Sequence, residues 1–213
     1  MTAGGEDSEH WSVPALSSTV AAGLEKLHLS NSCYPIPILS IEALCDCSQL
    51  RKLSVECFRL SDLGALAGCV HLEELAACEA YSNVSDIAPL GSCAKLKKLS
   101  IEDSQVSDLA PLRGCVELED LNIRECARLL SLEGLQACSQ LERLDMSRLA
   151  VSSLEPLSAC GQLKELDMFG CEDVSSLAPL SACGQLERLN MAICSSVTSL
   201  APLSACANLK KST

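Results

Sequence analysis

Leucines recur along the chain every 22 to 26 residues, and the apolar positions between them keep a nearly constant spacing. In one unit the apolar positions are Leu186, Leu189, Met191, Val197, Leu200, Leu203 and Cys206. A spacing of two is typical of a strand with one buried face, and a spacing of three is typical of a 3-10 or short helical return. Each unit is therefore predicted to be a strand, a turn and a helical return, and strands connected in this way must lie parallel.

The repeat divides almost the whole chain. We predict eight repeats over residues 24–208, preceded by a half-repeat cap over 11–23 that contains Trp11 and by a disordered polar tail over 1–10. Residues 209–213 begin a ninth unit without a C-terminal cap. An uncapped end exposes an apolar face and a strand edge, so we expect a fragment of a longer protein. The alternatives are that Lys210 and Lys211 alone discourage edge pairing, or that a partner or a second copy covers the end, in the latter case by end-to-end self-association. The leucines that open the units are at positions 24, 50, 72, 96, 118, 141, 163, 186 and 209.

Proline and glycine mark the two ends of the returns. Gly161 and Gly184 follow the last residue of their returns and are interpreted as helix-ending glycines. Proline suits the first turn of a helix, because its fixed φ is already helical and its missing N–H is not needed there. The prolines in that position are at 89, 111, 156, 179 and 202.

The pattern C-x-x-L-x-x-L-x-[IVM]-x-x-C-x-x-[VL]-x-x-L resembles the leucine-rich repeat family over roughly residues 24–211. The resemblance implies an α/β fold class: a right-handed solenoid with a parallel concave sheet and short 3-10 or helical convex returns. The paired cysteines are similar to the repeats of F-box substrate adaptors, and V-S-D-L-A-P-L is similar to the repeats of bacterial internalins and phosphatase-regulating proteins. Residues 1–12 are too short to contain an F-box, so the adaptor role is not carried over.

Fourteen of the fifteen cysteines fall into two columns of the repeat, and only Cys45 lies outside them. We interpret both columns as small buried hydrophobes, with the weak S–H of the strand-exit column contacting backbone of the neighbouring turn. Occasional disulfides or a metal site are the alternatives, but they need closer Cβ atoms or four converging ligands. The return column is Cys47, Cys69, Cys93, Cys115, Cys138, Cys160, Cys183 and Cys206, and the strand-exit column is Cys33, Cys57, Cys78, Cys126, Cys171 and Cys194.

Charge and motifs exclude several classes of function. The net charge of −12 argues against nucleic-acid and anionic-membrane surfaces, which need clustered lysine and arginine. The chain has no run of 18 apolar residues and no basic leader, so we expect a cytoplasmic protein. No phosphate-binding, dinucleotide, zinc-protease or nucleophile-elbow motif occurs, and the three histidines are scattered, so we expect no enzyme, cofactor or metal.

The outward positions of the predicted strands supply the candidate binding residues. One column alternates in charge from Lys52 to Arg188 and is interpreted as a charge ladder that satisfies itself. The column beside it is small and mostly polar, and from it we take His28, Asn122, Asp145, Asp167 and Asn190 as candidates. Aromatic residues are scarce, yet a rim of strand-exit loops carries Tyr34, Phe58 and Tyr81, with Phe169 farther along the concave side.

These observations favour a non-catalytic scaffold for protein–protein interaction, with a partner that the sequence does not identify. Two alternatives are a structural segment of a longer repeat protein without a ligand site and the substrate-recognition part of a ubiquitin-ligase adaptor.

Overall fold

The computed structural model describes residues 10–30, 38–56, 59–78 and 83–210. A small parallel sheet is formed by β1 (His10–Ser12), β3 (Ile38–Ser40) and β5 (Arg59–Leu60). The main sheet has eight parallel strands, each hydrogen-bonded to the strand of the next repeat. Its strands are β2 (Lys26–Ser30), β4 (Lys52–Glu56), β6 (Glu74–Cys78), β7 (Lys98–Ser100), β8 (Asp120–Asn122), β9 (Arg143–Asp145), β10 (Glu165–Asp167) and β11 (Arg188–Asn190).

Short 3-10 helices, here labelled η, return the chain from one strand to the next, as the spacing of three predicts. One α-helix, α1 (Ser18–Gly23), precedes the first strand of the main sheet, and the Ser17 hydroxyl accepts the Val20 N–H at 3.4 Å. The prediction of an α/β solenoid with a parallel sheet is confirmed. The returns are η1 (Glu42–Leu44), η2 (Gly64–Gly68), η3 (Ala88–Ser92), η4 (Ala110–Gly114), η5 (Leu135–Ala137), η6 (Glu155–Ala159), η7 (Ala178–Ala182) and η8 (Ala201–Ala205).

Side-chain oxygens start the returns. Asp86 Oδ1 accepts the Ala88 N–H at 2.7 Å, and Ser176 Oγ accepts the Ala178 N–H at 3.2 Å. An aspartate or serine that bonds the N–H two residues ahead closes a turn and satisfies a backbone donor that the helix leaves free. The aspartate or serine that bonds the first N–H of a return in this way therefore has a direct structural role.

The returns end without a left-handed glycine, so the interpretation of Gly161 and Gly184 as helix-ending glycines was wrong. Cys160 itself turns the chain, with φ −91° and ψ 59°. Among the described glycines, only Gly134 and Gly170 have positive φ. A cysteine in this conformation redirects the backbone within the ordinary region of L-residues, so glycine is not needed after it.

The core is a continuous stack of leucine and cysteine side chains between the sheet and the returns. Leu112, Leu135 and Leu157, from successive returns, are fully buried. Burial of an aliphatic side chain of this size contributes about 1.5 to 3 kcal/mol. At the end of the stack that β11 forms, Leu200 is 59% exposed, whereas the equivalent Leu177 is 1% exposed. The predicted end-to-end association is not tested by this difference and stays a prediction.

Several of the sequence-based boundaries fall outside the described residues. Of the predicted tail over residues 1–10, only His10 is described, and it begins β1. Residues 211–213 of the predicted ninth unit also lie outside the description. In the part of the chain that the structure describes, no helix has the length and apolar character needed to span a bilayer.

A left-handed residue follows each of the later strands. Asp103, Glu125, Arg148 and Ile193 have φ between 52° and 62°, and Gly170 takes the same place with φ 69°. This conformation is uncommon for residues with a side chain and is worst for β-branched ones, because Cβ approaches the carbonyl oxygen. Ile193 is therefore the most strained member of this column.

Replacing Ile193 with glycine is expected to raise the free energy of unfolding by about 1 kcal/mol. The side chain is 58% exposed, so its removal sacrifices little burial while it relieves the left-handed strain. Urea unfolding followed by circular dichroism measures the change. Val116 is the matched control, since it is also β-branched and 50% exposed but has no positive φ. Val116→Gly should destabilise the chain, and a loss of stability in both variants would contradict the strain at residue 193.

Candidate binding surface on the concave sheet

The charge ladder predicted for the concave face is present. Lys52 Nζ donates to Glu74 Oε1 at 2.7 Å, and Arg143 Nε donates to Asp120 Oδ2 at 2.9 Å. Arg188 pairs with Glu165 in the same way. The Lys52 hydrogen bond, helped by the charges of Lys52, Lys98 and Lys26, lowers the pKa of Glu74 although partial burial opposes this. Half-exposed pairs of this kind add less than about 1 kcal/mol each, so the ladder fixes side chains more than it stabilises the fold.

A second ladder runs one residue earlier in each repeat and was missed by the sequence reasoning. It joins Arg51 to Glu73 at 2.6 Å, Lys164 to Glu142 at 2.7 Å, and Lys210 to Glu187 at 2.6 Å. The signal that could have found it is the opposite sign of charges 22 or 23 residues apart. In the two ladders together, most of the carboxylates beside the sheet are paired with lysine or arginine side chains of this same chain.

The polar candidates from the sequence are largely engaged in closing the turns after their strands. Asn122 Oδ1 accepts the Arg124 N–H at 3.1 Å, and Asp167 Oδ1 accepts the Phe169 N–H at 2.9 Å. Asp145 accepts both the backbone N–H and the hydroxyl of Ser147. An Asn or Asp side chain commonly makes this turn, so it is needed for the backbone whether or not a partner binds.

The side-chain amides of Asn190 and Asn122 also donate hydrogen bonds within the chain. Asn190 Nδ2 donates to Asp167 Oδ2 at 3.0 Å, and its Oδ1 accepts the Ala192 N–H at 3.2 Å. Asn122 Nδ2 donates to Glu102 Oε2 at 3.0 Å. These candidates therefore line the concave face with few free hydrogen-bonding groups, and their role in binding a partner stays a prediction.

The aromatic candidates divide into one described residue and three that are not described. Phe169 is half-buried, and the Arg148 guanidinium carbon lies 5.9 Å from its ring centroid, within the range of a cation–π contact. The rim residues Tyr34, Phe58 and Tyr81 lie outside the described residues, so the rim remains a prediction.

A concave groove of about 700 Å³ lies over β2, β4, β6, β7 and β8. Its polar column consists of His28, Ser54, Ala76, Ser100 and Asn122, which are in register across the sheet. The small side chains of the three middle members leave the space that defines the groove. The longer side chains of Asp145 and Asp167 take the same column farther along the sheet.

Cations outnumber carboxylates around this concave groove. Lys26, Lys52 and Lys98 line it, against Glu74 and Asp120. Lys26 lies beside Lys52 in the register of β2 and β4, and it forms no ion pair within the described residues. His28 Nε2 is 3.9 Å from Glu56 Oε2, and both side chains are exposed. In a chain with a net charge of −12, this is a local surplus of positive charge.

The column cysteines whose side chains the structure describes lie in the core, and most of them donate to backbone carbonyls of the preceding repeat. Cys115 Sγ donates to Leu90 O at 3.4 Å, and Cys171 Sγ donates to Met146 O at 3.1 Å. Among the described residues eleven cysteines are buried and free, and Cys45 is exposed and free. Burial raises the pKa of the return thiols, reaching about 12 for Cys115 and Cys138. A thiol with such a pKa is mostly protonated at neutral pH, which makes it a poor nucleophile or metal ligand.

Comparison with known proteins identifies the fold. No protein-family model matches the chain, and a comparison with curated protein sequences finds no significant match. The chain is similar to internalin C2 from Listeria monocytogenes, with a TM-score of 0.79 and 20% identity over 91% of this chain and 82% of that one. It is also similar to a leucine-rich repeat protein from Leptospira interrogans, with a TM-score of 0.78 and 16% identity over 94% of this chain and 53% of that one.

A third similar structure is the ectodomain of the plant membrane receptor kinase GASSHO1/SCHENGEN3 from Arabidopsis thaliana, solved in complex with CASPARIAN STRIP INTEGRITY FACTOR 2. Here the TM-score is 0.68 and the identity 16%, over 95% of this chain and 25% of that one. The chain thus spans only part of the length of each of these proteins. All three have leucine-rich repeats, so the fold suggested by the repeat pattern is confirmed.

Proposed function

We propose that this leucine-rich-repeat chain is a non-catalytic scaffold that binds an extended segment of a protein partner in the concave groove. The observation that supports the proposal is the groove itself, where Ser54, Ala76 and Ser100 leave about 700 Å³ open above the sheet. The similar plant ectodomain was solved in complex with another factor, which is consistent with partner binding by this fold.

The charges around the concave groove favour a partner segment with carboxylates. The ammonium groups of Lys26 and Lys52 extend from neighbouring strands, and only Lys52 has a carboxylate partner among the described residues. A carboxylate placed between them would complete the charge ladder at its open end, as Glu74 does between Lys52 and Lys98. Complementary charges of this kind determine specificity and association rate more than affinity.

The buried free thiols support a compartment that keeps cysteine reduced, and we retain the cytoplasm as the proposed location. The rim of Tyr34, Phe58 and Tyr81 is kept as a proposed extension of the same surface. No contact among the residues that the structure describes supports the ubiquitin-ligase adaptor role.

A peptide-display selection tests the concave groove. A random peptide library is selected on the reduced chain, and the enriched peptides are titrated by fluorescence anisotropy against the unmodified chain, Ala76→Glu and Ala94→Glu. Ala76 lies in the groove between Ser54 and Ser100, whereas Ala94 is an exposed alanine in the turn before β7. The same substitution therefore adds the same charge inside and outside the site.

We expect enriched peptides to carry carboxylates and to bind Ala76→Glu at least tenfold more weakly, with Ala94→Glu unchanged. Peptides that bind Ala76→Glu as tightly as the unmodified chain would show that binding occurs outside the concave groove. A selection that enriches no peptide would remove the support for the scaffold role of this surface.

A further inference from the structure

The return of the fifth repeat departs from the pattern that the other repeats share. Gly134 takes the place of the proline that opens five other returns, and η5 has three residues where η4 and η6 have five. Leu130 occupies a column in which the other repeats from the second to the eighth have a hydroxyl side chain. That column is Ser61, Ser85, Ser107, Leu130, Ser152, Ser175 and Thr198.

These departures surround an outer groove on the convex side of the solenoid, between the returns of the fifth and sixth repeats. The outer groove has a volume of about 550 Å³ and is lined by Leu130, Glu133 and Gln136 on one side and by Glu155, Pro156 and Ser158 on the other. Leu130 is 65% exposed, the largest value among the exposed large apolar side chains of the described residues. The chain thus places its most exposed leucine at the wall of a groove.

Two carboxylates at the outer groove lack the partners that other glutamates of the chain have. Glu133 and Glu155 are exposed, and neither forms an ion pair within the described ranges. Elsewhere, Glu117 pairs with Lys95 at 3.0 Å and Glu142 pairs with Lys164 at 2.7 Å. Glu133 and Glu155 occupy one column of the repeat. That column holds alanine in four other repeats, at Ala88, Ala110, Ala178 and Ala201.

The fold itself does not require Leu130 or the two glutamates. Other returns keep the same core leucine and the same starting hydrogen bond with serine and alanine in these columns, as η7 does with Ser175 and Ala178. A single exposed leucine is ordinary on a protein surface. An exposed leucine that shares a groove with two unpaired carboxylates is complementary to a ligand that is both apolar and cationic.

We propose that the outer groove binds a short segment of a partner protein in which an apolar side chain adjoins lysine or arginine. The apolar side chain packs on Leu130 and Pro156, and the cation lies between the carboxylates of Glu133 and Glu155. The outer groove is separate from the concave groove, so a failure of the proposed function would leave this proposal intact, and the reverse is also true. It gives the scaffold two faces for two different partner segments.

The test uses four fluorescein-labelled hexapeptides and the reduced chain. The first alternates leucine and lysine, the second replaces leucine with serine, the third replaces lysine with glutamate, and the fourth replaces lysine with serine. We expect saturable binding of the leucine–lysine peptide and at least tenfold weaker binding of the other three. Equal binding of the serine–lysine peptide would show that net charge alone attracts the probe and would overturn the proposal.

Variants that restore the chain's own repeat pattern locate the binding. Leu130→Ser and the double variant Glu133→Ala/Glu155→Ala introduce residues that other returns already accommodate, so both should fold with unchanged circular dichroism. Each should weaken the leucine–lysine peptide at least tenfold, and the double variant should also lose the salt dependence of binding. Glu172→Ala is the control, since it removes an exposed carboxylate outside the groove.

Binding that survives Leu130→Ser, or that Glu172→Ala weakens equally, would overturn the proposal. The variant Ala76→Glu separates this site from the concave groove, because it should leave the affinity of the leucine–lysine peptide unchanged.

Discussion

Replacing Gly134 with alanine is expected to lower the free energy of unfolding by about 3 kcal/mol. Gly134 has φ 114°, which L-residues rarely adopt, and a Cβ at this position would lie 2.2 Å from Leu109 O. Relief requires either a movement of the fourth return, which is packed in the core, or a change of the backbone at Gly134. Urea unfolding measures the loss.

Gly184→Ala is the matched control. Gly184 lies at the end of another return, has no positive φ, and an added Cβ would meet nothing within 4 Å. We expect the stability of this variant to equal or slightly exceed that of the unmodified chain, because alanine restricts the unfolded state. A loss below about 1 kcal/mol in Gly134→Ala would show that the fifth return readily adopts the conformation of its proline-containing neighbours.

Alkaline pH is expected to unfold the chain through its buried thiols. Burial raises the pKa of Cys69, Cys115, Cys138 and Cys183 to about 12 and that of Cys160 to about 11, from an ordinary value of 9.0. Below pH 9 the thiols are protonated in both the folded and the unfolded state, so they do not change the free energy of unfolding. Above pH 9 the unfolded chain loses protons that the folded chain keeps, so stability falls as pH rises towards 11 or 12.

The expected loss is large because many thiols act together. Each thiol that ionises only in the unfolded state removes about 1.4 kcal/mol of stability per pH unit. Five such groups therefore remove several kcal/mol within one pH unit, which is comparable with the total stability of about 5 to 15 kcal/mol typical of a domain. Circular dichroism and thiolate absorbance, followed together from pH 8 to 11.5, should change in one transition.

Two cysteine variants control the alkaline experiment. Cys45 is exposed, so Cys45→Ser should leave the dependence of stability on pH unchanged. Cys138→Ala should reduce the slope above pH 9 by about one proton, whatever it does to stability at neutral pH. Thiolate absorbance that rises fully near pH 9 while circular dichroism stays constant would contradict the burial of the cysteine columns.

Much of the fold could be predicted because every repeat has the same pattern of buried apolar positions. The spacing of Leu121 and Ile123 indicates a strand, and the match of Leu121 with Leu144 twenty-three residues later indicates its neighbour. Each repeat buries its apolar face only against the next, so local spacing and long-range pairing carry the same information. The charge ladder followed for the same reason, since residues in one column of a parallel sheet lie side by side.

The candidate site was less predictable, because exposure and hydrogen bonding depend on neighbours from other repeats. Asn122 and Asp167 stand out in the sequence as outward polar residues, yet the structure uses them to close turns. The concave groove depends on Ser54, Ala76 and Ser100 being small together, and no single one of them is a signal. At the outer groove, Leu130 and Glu155 are 25 residues apart, and only the stacking of two returns brings them to one surface.

The sequence by itself determined the repeat, the parallel sheet and the burial of those column cysteines that the structure describes, since apolar periodicity acts at each position regardless of its neighbours. The tertiary structure alone decided the left-handed turn at Gly134, the hydrogen bonds of the return-column thiols to the preceding repeat, and the two grooves. These features arise from contacts between backbones of adjacent repeats, where a carbonyl oxygen such as Leu109 O and the volume of a missing side chain set the geometry. The periodicity of side-chain types along the sequence carries no information about such contacts.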